Sequence, residues 1–307
     1  MDGALRFDDA NLFARLGVTS DHYYRIYRTQ YLNRSKTQAT CILMERKDCV
    51  ILINSTPKYY FILPMCITML RRYAPSLVWD VVLATEVPDH PICQDLAARL
   101  GVTLLSITET GFLESRLEAL SKLKNYAFCL PLQDDFLLEM ACDGVALREA
   151  FQLMEDDPTC VSVRLMPCPG PKMAGERWAP LDPSVDTYGF VFQATLWRTE
   201  ACLKWYEHIT AVLESRYPAA TTLESKRRHI EIVQNIAENS VGQREFWAWT
   251  TKKGYRHLAW VRKGDWPNAV YLSPFPYRPT AIVRGSVEPW VYELALREGV
   301  TLSAAPG

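Results

Sequence analysis

From Cys49 onward the chain alternates short apolar runs with longer segments whose apolar residues recur every three or four positions. Cys49–Asn54 is a β-branched and aliphatic run closed by polar Asn54-Ser55-Thr56-Pro57, which predicts a buried strand. Lys58–Tyr73 predicts a helix, with Pro64 as a kink or a first-turn residue. Trp79–Thr85 and Val102–Ile107 predict two more strands, separated by a helix over Pro91–Leu100 that Gly101 stops. Phe112–Lys124 carries Leu113, Leu117, Leu120 and Leu123 on one stripe and predicts an amphipathic helix, and Tyr126–Leu132 a fourth strand. Strands alternating with helices of this length imply a mostly parallel sheet with right-handed crossovers, an α/β fold.

Beyond residue 135 the rhythm changes. Val145–Glu155 predicts a helix, Cys160–Met166 a strand, Pro167–Pro171 a rigid loop and Tyr188–Thr195 another strand. Thr199–Glu214 predicts a helix, and Leu223–Glu238 a second one that Thr221 and Glu224 open as a capping box. Residues 1–47 are polar and irregular, and the chain from Tyr255 onward is rich in proline and aromatics. The expected organisation is a single domain: an N-terminal extension over 1–47, a first half over 48–140, a second half over 141–275 and an irregular tail over 276–307.

The fourth strand runs into Gln133-Asp134-Asp135-Phe136. Two adjacent carboxylates at the end of an apolar strand are costly to bury, so they either face water or hold a cation. In open α/β sheets ligands collect outside the carboxyl ends of the strands, and oxygen-only donors select hard ions such as Mg²⁺ or Mn²⁺. Such ions commonly accompany phosphates.

Composition narrows the partners. The 307 residues are 49% hydrophobic and 22% charged with a net charge of −1, enough for a large core and without a basic footprint for nucleic acid. Nine cysteines without C-x-x-C spacing read as buried reduced thiols. The N-terminus lacks the apolar core of a signal peptide, and the longest apolar stretch, Tyr59–Leu70, is too short to span a bilayer. A soluble, cytoplasmic protein is expected, with peripheral membrane attachment left open. Neither G-x-G-x-x-G, a P-loop, H-E-x-x-H nor G-x-S-x-G occurs, which turns the reading away from dinucleotide, P-loop, zincin and α/β-hydrolase chemistry. Trp79 is the only tryptophan before residue 178 and eight follow, so the second half is the expected sugar-stacking side, core filling being the alternative.

The string Tyr126–Leu138 resembles the metal-binding segment of GT-A glycosyltransferases, whose acidic motif ends the fourth strand. Cys49–Pro75 resembles the first strand-helix unit of a group of bacterial and viral sugar transferases, and Val82–Glu86 the end of their second strand. Phe192–Thr199 is similar to their acceptor-side turn, and Gln243–Trp247 to their later acidic-aromatic segment. The resemblance covers about residues 49–270, with one departure: Gln133 stands where the family places an acid.

What the resemblance implies is a GT-A-like, Rossmann-like sheet and sugar transfer from a nucleotide-sugar donor, UDP-linked by preference, to a carbohydrate or other hydroxyl acceptor. Asp135 would ligate Mn²⁺ or Mg²⁺, and Asp134 the donor ribose or the ion through water. Ser55, Thr56, Glu86 and Gln133 would complete the donor side, Gln193, Trp197 and Trp247 the acceptor side. His257 is a further candidate metal ligand, and Arg256, Arg262 and Lys263 candidates to close over the diphosphate. An inverting transferase also needs a general base, and Glu245, beside Phe246 and Trp247, is the candidate because an apolar wall raises a carboxylate's proton affinity. The alternatives are a metal-dependent phosphohydrolase or nucleotidyltransferase, and a catalytically inactive carbohydrate-binding relative.

Overall fold

Among the described residues eight strands form one mixed sheet in the order β3-β2-β1-β4-β8-β6-β9-β7. They are β1 (Met44–Asn54), β2 (Leu77–Thr85), β3 (Val102–Ser106), β4 (Phe128–Gln133), β6 (Cys160–Arg164), β7 (Trp178–Pro180), β8 (Thr195–Arg198) and β9 (Arg256–Trp260). β1 to β4 are mutually parallel where they pair, β8 runs antiparallel to both β4 and β6, β9 is parallel to β6, and β7 is antiparallel to β9. This computed structural model describes residues 44–108, 111–166, 171, 175–186, 188–216, 240–263, 268–278, 281–283 and 285–302. The mostly parallel α/β sheet expected from the alternating pattern is present.

Helices cover both faces, which is why β1 reads as a continuous apolar run. Cys49, Ile51 and Ile53 face one core, filled by Met65, Ile67 and Leu70 of α1 (Leu63–Tyr73) and Leu147, Phe151 and Met154 of α4 (Gly144–Asp156). Val50 and Leu52 face the other, filled by Leu113 and Leu120 of α3 (Phe112–Lys122), Trp205 and Ile209 of α5 (Thr199–Arg216), and Phe246 and Trp249 of α6 (Ser240–Lys253). α2 (Pro91–Leu100) ends at Gly101, whose φ of 62° is the left-handed conformation that favours glycine.

Several elements depart from the sequence expectation for identifiable reasons. β1 begins at Met44, so the expected boundary at residue 47 lies inside a strand. The polar stretch Glu45–Asp48 conceals this: Arg46 bonds Asp48 at 2.9 Å and Glu155 at 2.6 Å, and its guanidinium lies 4.8 Å from the Phe151 ring. The helix expected from Lys58 is a 3-10 turn over Pro57–Tyr59 followed by α1, with Pro64 in its first turn. The strand expected over Tyr188–Thr195 is confined to Thr195–Arg198. Gln243 takes up the backbone there, accepting from Gly189 N at 2.7 Å and Phe190 N at 3.0 Å and donating to Phe190 O at 2.6 Å.

The described residues of the tail carry short regular elements. α7 (Asn268–Tyr271) leads to β10 (Tyr277–Arg278), which pairs with β5 (Leu137–Leu138); the hairpin β11 (Ile282–Val283)–β12 (Ser286–Val287) then enters α8 (Pro289–Glu298). α8 buries Trp290, Val291 and Leu294 in the α1 core. Core filling also claims most tryptophans: Trp79, Trp197, Trp205, Trp249, Trp260 and Trp290 are buried. Residues 1–43 and the helix expected over Leu223–Glu238 lie outside the described residues. Among the described residues no helix is long and apolar enough to cross a membrane.

Candidate functional site

The carboxyl ends of β1, β2 and β4 meet at one edge. Asn54 stands in register between Ala84 and Gln133, and the chain continues into Ser55, whose amide donates to Ala84 O at 3.1 Å. Ser55 Oγ donates to Asp134 Oδ2 at 2.6 Å, both residues being buried. Burial pushes the Asp134 carboxyl up to about 7; the neighbouring Asp135 charge adds to this, while the Ser55 bond and the Arg116 charge oppose it. Asp135, half-buried, is pushed up to about 6 by burial, opposed by backbone hydrogen bonding from Ile282 and Ala281 and by Arg116. Both carboxyls therefore carry their charge at a cost that a nearby cation offsets.

Metal fit follows from the donor set. Among the described residues the buried Asn54 Oδ1, at the strand end that leads to Ser55 and Asp134, has no hydrogen-bond partner. Oxygen donors of this kind suit Mg²⁺ or Mn²⁺. Among the described residues no three His, Cys, Asp or Glu side chains gather as a metal cage. The chain thus offers a two-carboxylate site, the kind Mg²⁺ occupies when substrate phosphates and waters complete its shell.

Sequence reading missed Arg116. α3 starts just past the end of β3, which brings its first turns to the same edge as the acidic pair. The guanidinium lies 3.5 Å from the Phe112 ring centroid and donates to Phe112 O at 2.9 Å, and its charge acts on both Asp134 and Asp135. Among 34 lysines and arginines nothing in the sequence marks it. The edge position does.

Other expected residues sort by place. Gln193 is half-buried beside the pair: its Oε1 accepts from Tyr277 Oη at 2.6 Å, and the Tyr277 ring stacks on Phe136 at 4.5 Å. Gln133 ends β4, Thr56 is exposed just beyond Ser55, and Glu86 follows β2. Thr85, at the end of β2, is held by the Tyr60 hydroxyl. Ser55, Thr56, Glu86, Gln133, Asp134, Asp135 and Gln193 therefore share one edge.

His257 does not. Cys129 pairs with Trp197, Trp197 with Ser162, and Ser162 with His257, so His257 lies three strands from β4 at the level of Cys129. With roughly 4.8 Å between strands and about 3.3 Å per residue along them, His257 and Asp135 are on the order of 20 Å apart. They cannot share an ion. His257 is instead a core histidine, bonded through Nδ1 to Ser162 Oγ at 2.7 Å and held down to about 3 by burial.

Trp197 is 3% exposed and packs on Phe190 and Phe246, so it presents no face to a sugar. Trp247 is half-exposed but lines a cleft of about 140 Å³ with Tyr255, Arg256 and His257, on the far side from the pair. Glu245 sits between α5 and α6, accepting from Arg216 at 3.0 Å and facing His208 Nε2 at 3.3 Å. Its surroundings are cationic, where the sequence reading expected an apolar wall. Arg256 pairs with Asp157 and Lys263 lies over Trp260 at 5.2 Å, which engages both side chains away from the acidic pair, while the backbone amide of Arg262 bonds Pro171 O at 2.9 Å.

No family model and no curated protein matches the chain. Solved structures similar to it include a cytidylyltransferase from Leptospira borgpetersenii serovar Hardjo-bovis, 12% identical, covering 83% of this chain and 96% of that one with a TM-score of 0.41. A CMP:2-keto-3-deoxy-manno-octonic acid synthetase is 13% identical over 83% of this chain and 99% of its own, with a TM-score of 0.38. S. aureus TarS is 13% identical over 71% of this chain and 36% of its own, also at 0.38. At these identities and scores they lend no activity to this chain.

Proposed function

We propose that the chain is a metal-dependent transferase that moves a sugar from a nucleotide-sugar donor, UDP-linked by preference, to a hydroxyl acceptor. One observation supports the reading: a strand-end carboxylate pair, Asp134 buried and Asp135 half-buried, whose charge is costly, near an Asn54 carbonyl oxygen that has no hydrogen-bond partner among the described residues. Asp135, the more exposed of the two, is the principal metal ligand, and Asp134, tied to Ser55, contacts the ion through water or the donor ribose. When bound, Mn²⁺ or Mg²⁺ supplies Lewis-acid stabilisation of the charge that develops on a leaving diphosphate. Thr56, Glu86 and Gln133 line the donor side, and Gln193 the side toward the acceptor.

Glu245 favours a second reading. As general base for an acceptor hydroxyl it has to leave Arg216 and His208. Nucleotidyl transfer onto a sugar phosphate needs no such base, because the attacking phosphate oxygen is already ionised. Product analysis decides between them. With Mn²⁺ and a panel of nucleotide sugars, the sugar-transfer reading requires release of nucleoside diphosphate. With nucleoside triphosphates and sugar 1-phosphates, the nucleotidyl reading requires pyrophosphate. Release of neither, or release unchanged in Asp135→Asn, overturns the assignment of this edge.

A further inference from the structure

The acidic edge also holds a cation with spare hydrogen-bonding capacity. Arg116 carries five N–H donors. Among the described residues its hydrogen-bond acceptor is Phe112 O at 2.9 Å, and no carboxylate lies within ion-pair distance of it. Its guanidinium is held against Phe112, 3.5 Å from the ring centroid, with Phe192 at 6.0 Å; those two rings pack edge to face at 5.0 Å. Burial lowers its proton affinity from the usual arginine value, opposed by Tyr206 and by the charges of Asp134 and Asp135, yet an arginine stays protonated throughout the physiological range. The result is a half-buried cation, held flat on an aromatic ring, within electrostatic reach of both aspartates and bonded to neither.

We propose that Arg116 is a phosphate-binding residue of this site, its free guanidinium edge receiving the diphosphate group of the nucleotide substrate or product. Three features carry this. A guanidinium matches phosphate oxygens in pairs, and its strength rises where water is excluded. The aromatic shelf fixes its plane, so little side-chain freedom remains to be lost on binding. Two carboxylates with a cation between them and the leaving group form an alternating charge array: the aspartates draw in the metal ion, and Arg116 meets phosphate charge that the ion leaves uncompensated. A purely structural arginine in this position would be expected to satisfy an acidic partner, and two lie near without pairing to it.

The inference rests on the transferase reading, in either form, because both reactions release a diphosphate. Its test uses the full chain, Mn²⁺ alone and Mn²⁺ with inorganic pyrophosphate, followed by calorimetry in the wild type, Arg116→Gln and Arg116→Lys. In Arg116→Gln, pyrophosphate affinity should fall about tenfold or more, the scale of a lost charge-assisted hydrogen bond. Mn²⁺ alone should bind as tightly or more tightly, since a positive charge beside two aspartates has gone. Arg116→Lys should recover part of the pyrophosphate affinity. A fold defect weakens both ligands together, and that result, or pyrophosphate binding unchanged in Arg116→Gln, overturns the role of Arg116. Failure of the wild type to bind pyrophosphate with Mn²⁺ overturns the transferase reading and this inference with it.

Discussion

Ser55 Oγ and Asp134 Oδ2 lie 2.6 Å apart and join the end of β1 to the end of β4. The bond is buried and is the side-chain hydrogen bond that lowers the Asp134 proton affinity against burial. Ser55→Ala should therefore make Asp134 harder to ionise and move Mn²⁺ binding to higher pH. The loss of a buried partner should cost about 1–3 kcal/mol of stability. Urea unfolding and Mn²⁺ titration between pH 5.5 and about 8, where these carboxyls titrate, measure the two effects. Mn²⁺ binding with the wild-type pH dependence would separate Ser55 from the cation site.

The metal-free protein should lose stability as pH rises across the titration of Asp134. Its carboxyl is pushed from 3.8 in the unfolded chain to about 7 in the fold. Between those values the folded state holds the extra proton, so the contribution is present below about 4 and lost as pH climbs through 7. The slope is at most about 1.4 kcal/mol per pH unit for one group. Asp134→Asn should flatten the curve relative to wild type over this window, and saturating Mn²⁺ should reverse its sign, because the ion binds the ionised form. A wild-type and Asp134→Asn pair with parallel stability curves would show that the carboxyl is not held protonated.

His257 works in the opposite direction. It is buried and neutral, held down from 6.5 to about 3. The unfolded chain takes up a proton near 6.5 while the fold refuses it, so stability is full above that pH and falls as pH drops toward 3. His257→Gln keeps a polar partner for Ser162 and removes the titration; acid unfolding monitored by tryptophan fluorescence should shift to lower pH. An unchanged acid midpoint would remove His257 as its cause.

Much of this site was legible because parallel sheets place their ligands at strand ends. Pro91–Leu100 matched its helix residue for residue, and the position of Asp134 and Asp135 beyond β4 needed only the apolar run before them. What the sequence concealed depends on contacts between distant segments. Gln243 occupies the backbone of Gly189 and Phe190 and removes a strand that local pattern favours. Arg116 becomes distinctive only when the start of α3 comes to the sheet edge where β4 ends. Trp197 and His257 sit in apolar, polar-tinged sequence that suits a binding cleft and a core equally, and strand pairing puts both inside.

The tail is fastened beside the acidic pair by a buried ion pair. Glu139, 0% exposed, meets Arg278 Nε at 2.7 Å, and the guanidinium lies 4.6 Å from the Trp290 ring. Arg278→Met removes the cation and leaves a buried carboxylate with the Tyr271 hydroxyl at 3.3 Å as its remaining neutral donor, which should cost about 3–5 kcal/mol. Glu139→Gln/Arg278→Met together should recover a large part of that loss. Chemical denaturation of the three proteins checks this, and a double variant no better than Arg278→Met would place the cost in the lost packing on Trp290.

Glu245 decides whether acceptor activation belongs to this chain. Its carboxylate is 22% exposed and Arg216 is 46% exposed, so their ion pair contributes at most about 1 kcal/mol to folding. Glu245→Gln keeps the shape and a hydrogen-bond acceptor for Arg216, so the fold and Mn²⁺–pyrophosphate binding should stay near wild type. Under sugar transfer, the variant should still hydrolyse donor slowly to nucleoside diphosphate but lose transfer to acceptor by at least 100-fold, about the lower end of a general base's contribution. Arg216→Gln, which releases the same carboxylate, should leave transfer intact or raise it, because the base then has one less partner to shed. Transfer retained in Glu245→Gln assigns the residue to the α5–α6 contact alone, and the search for a base moves to groups that reach the edge where Gln193 meets Tyr277.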